Sequence, residues 1–212
     1  MINETIRYAQ NNGHEILAAL GQHIEVALIA AIITIIIAIP LAVVLMNHRR
    51  IGEFVLQIAG VIQTIPSLAV LGLLIPFVGI GTVPAIIALV LYAIMPVFQN
   101  TYAGLTNIDP LLIEAADAMG VSRRYKLLRV QIPLAMPMIL SGIRIGVVMI
   151  IGTSTLAALI GGGGLGTDIV LGIQSNNNAA LLIGALLAAA LALVASWLIK
   201  LLSNTSLKHI LI

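Results

Sequence analysis

Five long apolar stretches dominate this chain: Val26–Met46, Phe54–Val78, Val83–Tyr102, Pro137–Ile160 and Ala179–Leu202. Each has about the 20 residues that a helix needs to cross the hydrocarbon of a bilayer. A soluble core could not hide so much apolar surface in 212 residues, of which 60% are hydrophobic and 8% charged; soluble domains average about 25% charged. Mean hydropathy is +1.14. None of the stretches alternates in the ten-residue pattern of a membrane barrel. The expectation is an all-α membrane protein with five transmembrane helices.

The basic residues set the orientation. With the N-terminus outside, the connections holding Arg49, Arg50, Arg123, Arg124, Lys126 and Arg129 lie inside, as do Lys200 at the end of helix five and Lys208 in the tail. Eight of the ten basic residues then face the cytoplasm. The opposite topology reverses this bias, so N-out, C-in is predicted. Arg7 alone lies outside, and Arg144 falls inside helix four, where it can snorkel or pair near the inner boundary.

The N-terminus lacks the basic start of a signal peptide and carries Glu4 and Glu15. Ile2, Ile6, Ala9, Gly13, Ile16, Leu17 and Leu20 recur at helical spacing, broken near Asn11-Asn12-Gly13. Residues 1–22 therefore read as an amphipathic segment on the membrane surface. Residues 23–212 form the transmembrane domain.

Several chemistries are excluded. There are no cysteines, hence no disulfides, thiolate nucleophile or cysteine-bound metal. His14, His23, His48 and His209 are scattered and form no HExxH pair, so no metal site is expected. A concentrated basic face on a polar domain, as nucleic acid requires, has no room. Ser154, between Thr153 and Thr155, shows no histidine or carboxylate near it in sequence, so no activated nucleophile is expected. The spans hold no central carboxylate; Glu25 precedes the first and Asp168 lies in an outer loop. That argues against an ion-coupled carrier or channel. The glycine run Gly161 to Gly164, then Leu165-Gly166, matches a dinucleotide fingerprint only formally, because it follows a membrane helix. Thr167-Asp168 stands where a phosphate loop needs Lys-Ser/Thr. The expected role is a tight outer turn.

Prolines interrupt the predicted helices: Pro40 in the first, Pro66 and Pro76 in the second, Pro84 and Pro96 in the third. Each frees a backbone carbonyl that protein or a water-lined cavity must satisfy. Gln63-Thr64-Ile65-Pro66-Ser67 reads as a polar kink, and Gln99-Asn100-Thr101-Tyr102 as a polar inner end of helix three. Gln63, Thr64, Pro66, Tyr92, Gln99, Asn100 and Tyr102 are the candidates to line a translocation path; interhelical packing is the rival role for each. Gly142-xxx-Gly146 and the series Ala188, Ala192, Ser196 permit close helix approach.

The inner connection, residues 109–136, is the most informative. Asp109-Pro110 starts a helix, Gly120 is a natural stop, and Ser122 caps a second helix over Arg123–Gln131 that ends before Pro133. Leu111, Ala115 and Met119 share one face, and apolar groups outside a bilayer call for a partner. Here Glu114-Ala115-Ala116, three residues, Gly120, nine residues, then Val130-Gln131-Ile132-Pro133 resembles the EAA loop of ABC importer permeases. It departs from the family pattern by Val130 for Ile and Ile132 for Leu. QTIPSLA at 63–69, the segment Leu91–Tyr102 and the glycine run look like permeases of osmoprotectant importers for glycine betaine, carnitine, choline or related quaternary ammonium compounds.

The resemblance implies a type I ABC importer permease fold, similar to that of methionine importers, with a cytoplasmic coupling helix. Glu114, Ala115, Ala116, Met119, Gly120 and Pro133 are then ATPase-coupling residues, and the chain is not an enzyme. No cofactor is expected in this chain, since ATP and magnesium belong to the partner ATPase. Implied partners are two ATP-binding subunits, a second permease chain, identical or paralogous, an extracytoplasmic substrate-binding protein and membrane lipid. The implied location is the cytoplasmic membrane of a bacterium. Aromatic content is 4%, too sparse for a high-affinity cation–π cage here alone, which suits capture by a separate receptor. A methionine or other small-solute ABC permease is the alternative within the class.

Overall fold

The computed structural model describes residues 2–210, with side chains from 3 to 203. Lys208 and His209 lie outside the described side chains. The chain is helical: α1 (Ile2–Asn11), α2 (Gly13–Leu45), α3 (Arg49–Thr64), α4 (Ser67–Val78), α5 (Thr82–Thr106), α6 (Pro110–Ala118), α7 (Arg123–Lys126), α8 (Ile132–Ala157), α9 (Leu165–Gln174) and α10 (Asn178–Ile210).

Helix α5 is the axis. Ala85, Ala88, Leu89, Ala93, Val97 and Phe98 are buried along it. On one side α2 brings Val26, Ala27, Ala30 and Ala31 into a cluster with Leu89, Ala93, Ile150 and Ile151. On the other, α8 approaches through glycine. A Cβ at Gly142 would stand 2.8 Å from Asn100 Cβ and 3.0 Å from the Pro96 carbonyl, and one at Gly146 2.8 Å from Val97 Cγ2. The small-residue pair thus sets the α5–α8 crossing, by dispersion contact rather than by expulsion of water.

Among the described residues, four helices are individually long and apolar enough to cross a membrane; a fifth span requires α3 and α4 to be counted together. The stretch Phe54–Val78 is not one straight helix, because α3 and α4 meet at 95°. Ile65 is extended, φ −75° and ψ 129°, as a residue before proline prefers. Pro66 is the one proline that breaks its helix. Pro84 sits in the first turn of α5, where its missing donor is needed by nothing. Pro40, Pro76 and Pro96 lie inside helices that continue past them.

The chain breaks at Asn12, within the Asn11-Asn12-Gly13 stretch expected from the sequence, and α2 then runs unbroken from Gly13 past residue 22. One further expectation is corrected. The helix begun at Arg123 does not end before Pro133. It continues through a π turn, Leu127–Gln131, into α8 and on to Ile160. In that wide turn the Ile132 N–H donates to Leu127 O, shifting the ladder by one residue just before Pro133. The ring thereby escapes the clash with a carbonyl four residues back. At the far end the glycine run does form a turn, with Gly161, Gly163 and Gly164 at φ 78°, 70° and 75°. It delivers the chain into α9, a helix not anticipated from the sequence.

Candidate functional site

Helix α6 is short, and a free helix of its length is unstable in water; its ends hold it. Asp109 Oδ1 accepts from the Leu111 N–H at 2.9 Å, and Pro110 follows the cap. Gly120, at φ 68°, ends the helix in the left-handed conformation, its N–H donating to Asp117 O at 3.0 Å. Ser122 then accepts from the Tyr125 N–H at 3.3 Å. Lys126 pairs with Asp117 across the turn. One face of this hairpin is bare: Leu111 is 70% and Met119 80% exposed, with Glu114 and Ala115 also exposed and Ala116 buried beneath. Pro133 is not on this hairpin but in the first turn of α8.

Behind α6 lies a cavity of about 770 Å³ between the start of α3, the end of α5 and α6, lined by Gln99, Tyr102, Glu114, Glu53, Arg49 and Gln131 among others. Arg49 is paired with Glu53 at 2.8 Å. Glu114 makes no ion pair among the described residues. Tyr102 stacks on Phe98, ring centroids 5.6 Å apart. Its ring lies so close to Gly52 that a Cβ there would fall within 2.5 Å. The Tyr102 hydroxyl is buried without a hydrogen-bond partner. Two of the path candidates, Gln99 and Tyr102, thus share one cavity with Glu114 of the EAA-like motif.

Gln63, Thr64, Pro66 and Tyr92 gather instead at the α3–α4 elbow, where two proline defects satisfy each other. Pro96 has no N–H for the Tyr92 carbonyl four residues earlier, and Gln63 Nε2 donates to that carbonyl at 3.1 Å. The bend strips Ile65 O of its helical donor, because Ala69 N–H turns to Pro66 O at 2.8 Å. The Tyr92 hydroxyl donates to Ile65 O. Thr64 Oγ donates within α3 to Val61 O at 2.7 Å. Asn100 stands apart, its Nδ2 donating to Pro96 O at 2.8 Å with its Cβ against Gly142.

At the opposite end of the bundle, the sequence missed a knot. His23, 1% exposed, lies with Nε2 3.1 Å from Ile151 O and 2.8 Å from Ser154 Oγ. The expectation that no histidine is near Ser154 is therefore wrong in space. The pair still lacks a nucleophile's setting: Ser154 is 2% exposed and donates to Ile151 O at 3.1 Å. It ties α2 to α8. Beside it Gln22 Oε1 accepts from the Gly164 N–H at 3.1 Å, and Gly81 N–H donates to Ile160 O at 2.7 Å, so the glycine turn holds two other corners. The available signal was helical phase: Ala27, Ala30, Thr34, Ala38 and Ala42 form a buried stripe that runs back to His23. Nearby, burial raises the Asp168 carboxyl above the ordinary aspartate range, and Glu15 adds repulsion. Asp168 Oδ2 is buried with no hydrogen-bond partner.

Comparison with known proteins adds four findings. Residues 30–206 match the family described as binding-protein-dependent transport system inner membrane component. The chain is similar to the glycine betaine/carnitine/choline transport system permease protein OpuCB of Bacillus subtilis (strain 168), 40% identical over 82% of this chain and 80% of that one. It is also 40% identical to the carnitine transport permease protein OpuCB of Listeria monocytogenes, over 89% of this chain and 87% of that one. Among solved structures, an inward-facing MetNI methionine ABC transporter superposes with a TM-score of 0.80, covering 90% of this chain and 95% of that one at 21% identity. The last likeness is one of fold.

Proposed function

The chain belongs to the family of binding-protein-dependent transport system inner membrane components, and from this premise we propose that it is the permease subunit of an ABC importer for osmoprotectants. The cargo is glycine betaine, carnitine, choline or a related quaternary ammonium compound. The chain is a multi-pass protein of the cell membrane, oriented N-out and C-in. The observation that carries the cargo is the 40% identity to permeases named for these solutes. The methionine transporter resembles the chain in fold alone, at 21% identity.

The chain supplies a path and a handle; ATP and magnesium bind to a partner ATPase. Two ATPase subunits, a second permease chain and an extracytoplasmic binding protein complete the machine. The capped α6 enters a cleft of the ATPase with Glu114, Ala115 and Met119, Ala116 packs beneath them, and Gly120 sets its angle. ATP-driven closure of the ATPases bears on α6, and the path opens toward the other side. Such a shift requires that the ATPase contact the two states differently. Bare Leu111 and Met119 support the docking reading, since exposed apolar side chains beside a membrane call for cover.

The test is uptake. A strain lacking its own importers, given this gene with its neighbouring ATPase and binding protein, should take up radiolabelled betaine, carnitine or choline. Methionine uptake without any of these would overturn the cargo. Uptake that persists in vesicles without ATP would overturn the class.

A further inference from the structure

Between α8 and α10 a groove of about 240 Å³ is lined by Arg144, Lys200, Ser141 and Ser203, with Pro137, Leu140 and Ile199 as its apolar walls. Two cations on neighbouring helices share this groove, Arg144 half-buried and Lys200 exposed. Neither makes an ion pair among the described residues. The eight acidic residues all lie elsewhere: Glu4, Glu15, Glu25, Glu53, Asp109, Glu114, Asp117 and Asp168. No carboxylate stands on α8 or α10. Among the described residues the groove offers cationic donors and no anion to meet them.

Depth says from where. Lys200 lies about 33 Å along α10 from Asn178 by helix rise, one hydrocarbon thickness. Trp197, 59% exposed, precedes it by three residues and is a residue typical of the membrane interface. Elsewhere on its surface α10 exposes Leu193, Val194, Leu198 and Leu202, an apolar surface for the acyl chains of surrounding lipid. We propose that the Arg144–Lys200 groove binds a phosphate-bearing anion, the headgroup of an anionic phospholipid in the inner leaflet. The guanidinium and ammonium hold the phosphate oxygens, and Ser141 and Ser203 add hydroxyl donors within reach of the headgroup. Basic pockets between membrane helices on the cytoplasmic side suit such headgroups.

The assignment rests on the transmembrane reading and its sidedness, and not on the cargo. The test therefore measures lipid, not transport. The purified full chain is equilibrated in nanodiscs of equal phosphatidylglycerol and phosphatidylcholine, extracted in mild detergent, and its retained lipid counted by native mass spectrometry. Phosphatidylglycerol should be retained in preference. Lys200→Gln, at an exposed helix position, should weaken retention about fivefold, and Arg144→Gln with Lys200→Gln by a similar factor again. Arg144→Lys with Lys200→Arg should keep it, as should Arg50→Gln. Excess inorganic phosphate should not displace the lipid. Unchanged retention in Lys200→Gln, an equal loss in Arg50→Gln, or displacement by inorganic phosphate would each overturn the lipid assignment.

Discussion

Gln63→Leu and Tyr92→Phe separate the two hydrogen bonds of the α3–α4 elbow. The first leaves the Tyr92 carbonyl without a donor, in a residue 7% exposed and beside a proline that offers none. The second frees Ile65 O, in a residue 36% exposed, where solvent or lipid headgroups can substitute. Interhelical hydrogen bonds in membrane proteins average about 0.6 and reach about 1.7 kcal/mol. Gln63→Leu should therefore cost about 1.5 kcal/mol, near the upper figure, and Tyr92→Phe about 0.5 kcal/mol, near the average. The double variant should deviate from additivity, because both bonds pin the same residue. Unfolding of the purified chain in mixed micelles, followed by circular dichroism, measures the stabilities. The sequence has no cysteine, so spin labels at exposed Ile58 and Leu73 report the elbow angle without background. The label distance should broaden in Gln63→Leu. If Tyr92→Phe is the costlier change, or if neither broadens the distance, the two carbonyls are satisfied some other way and the account of the bend fails.

Gly120→Val should cost about 1 to 2 kcal/mol of hairpin stability from the left-handed φ alone, since nothing lies within 4 Å of an added Cβ; co-purification with the ATPase should fall, and an unchanged yield of complex would refute the turn's role. Gly142→Val drives atoms into the Pro96 carbonyl and Asn100 and should destabilise by about 1 to 3 kcal/mol, whereas Gly152→Ala, with open space around it, should change thermal stability little. Asp168 has its carboxyl raised in the folded protein by burial and by Glu15. The folded state therefore holds the proton more tightly than the unfolded chain, and stability is lost as pH rises from the ordinary aspartate value of about 3.9 upward. Asp168→Asn should raise the melting temperature at pH 7 and leave it nearly unchanged at pH 3.5; an equal gain at both would remove the titration argument.

The legible parts of this fold were local ones. Asp109, Pro110, Gly120 and Ser122 specify their caps and turn within a few residues, and the structure has each. The apolar stretches marked the segments that are long and apolar enough to cross a membrane, because that capacity is a property of composition. Pro66 bends the chain by 95° where the sequence placed a polar kink, whereas Pro133, expected to end a helix, only widens a helical turn; the difference lies in which neighbours accept the displaced backbone groups. Of the path candidates, Gln63 and Tyr92 met across the elbow because Pro96, 33 residues from one and four from the other, leaves a carbonyl bare. His23 and Ser154 lie 131 residues apart in sequence. Only packing brings them together, so their contact had no sequence signature beyond helical phase.

The unbroken run from Arg123 to Ile160 is a 38-residue rod, about 57 Å from tip to tip. A rod has no slack. If α6 couples to an ATPase as proposed, a displacement at the rod's basic foot would reach the glycine corner as tilt, without a relay of intermediate side chains. The π turn near the foot is where the rod is wound loosely, and so where a displacement too large for the bundle would be absorbed.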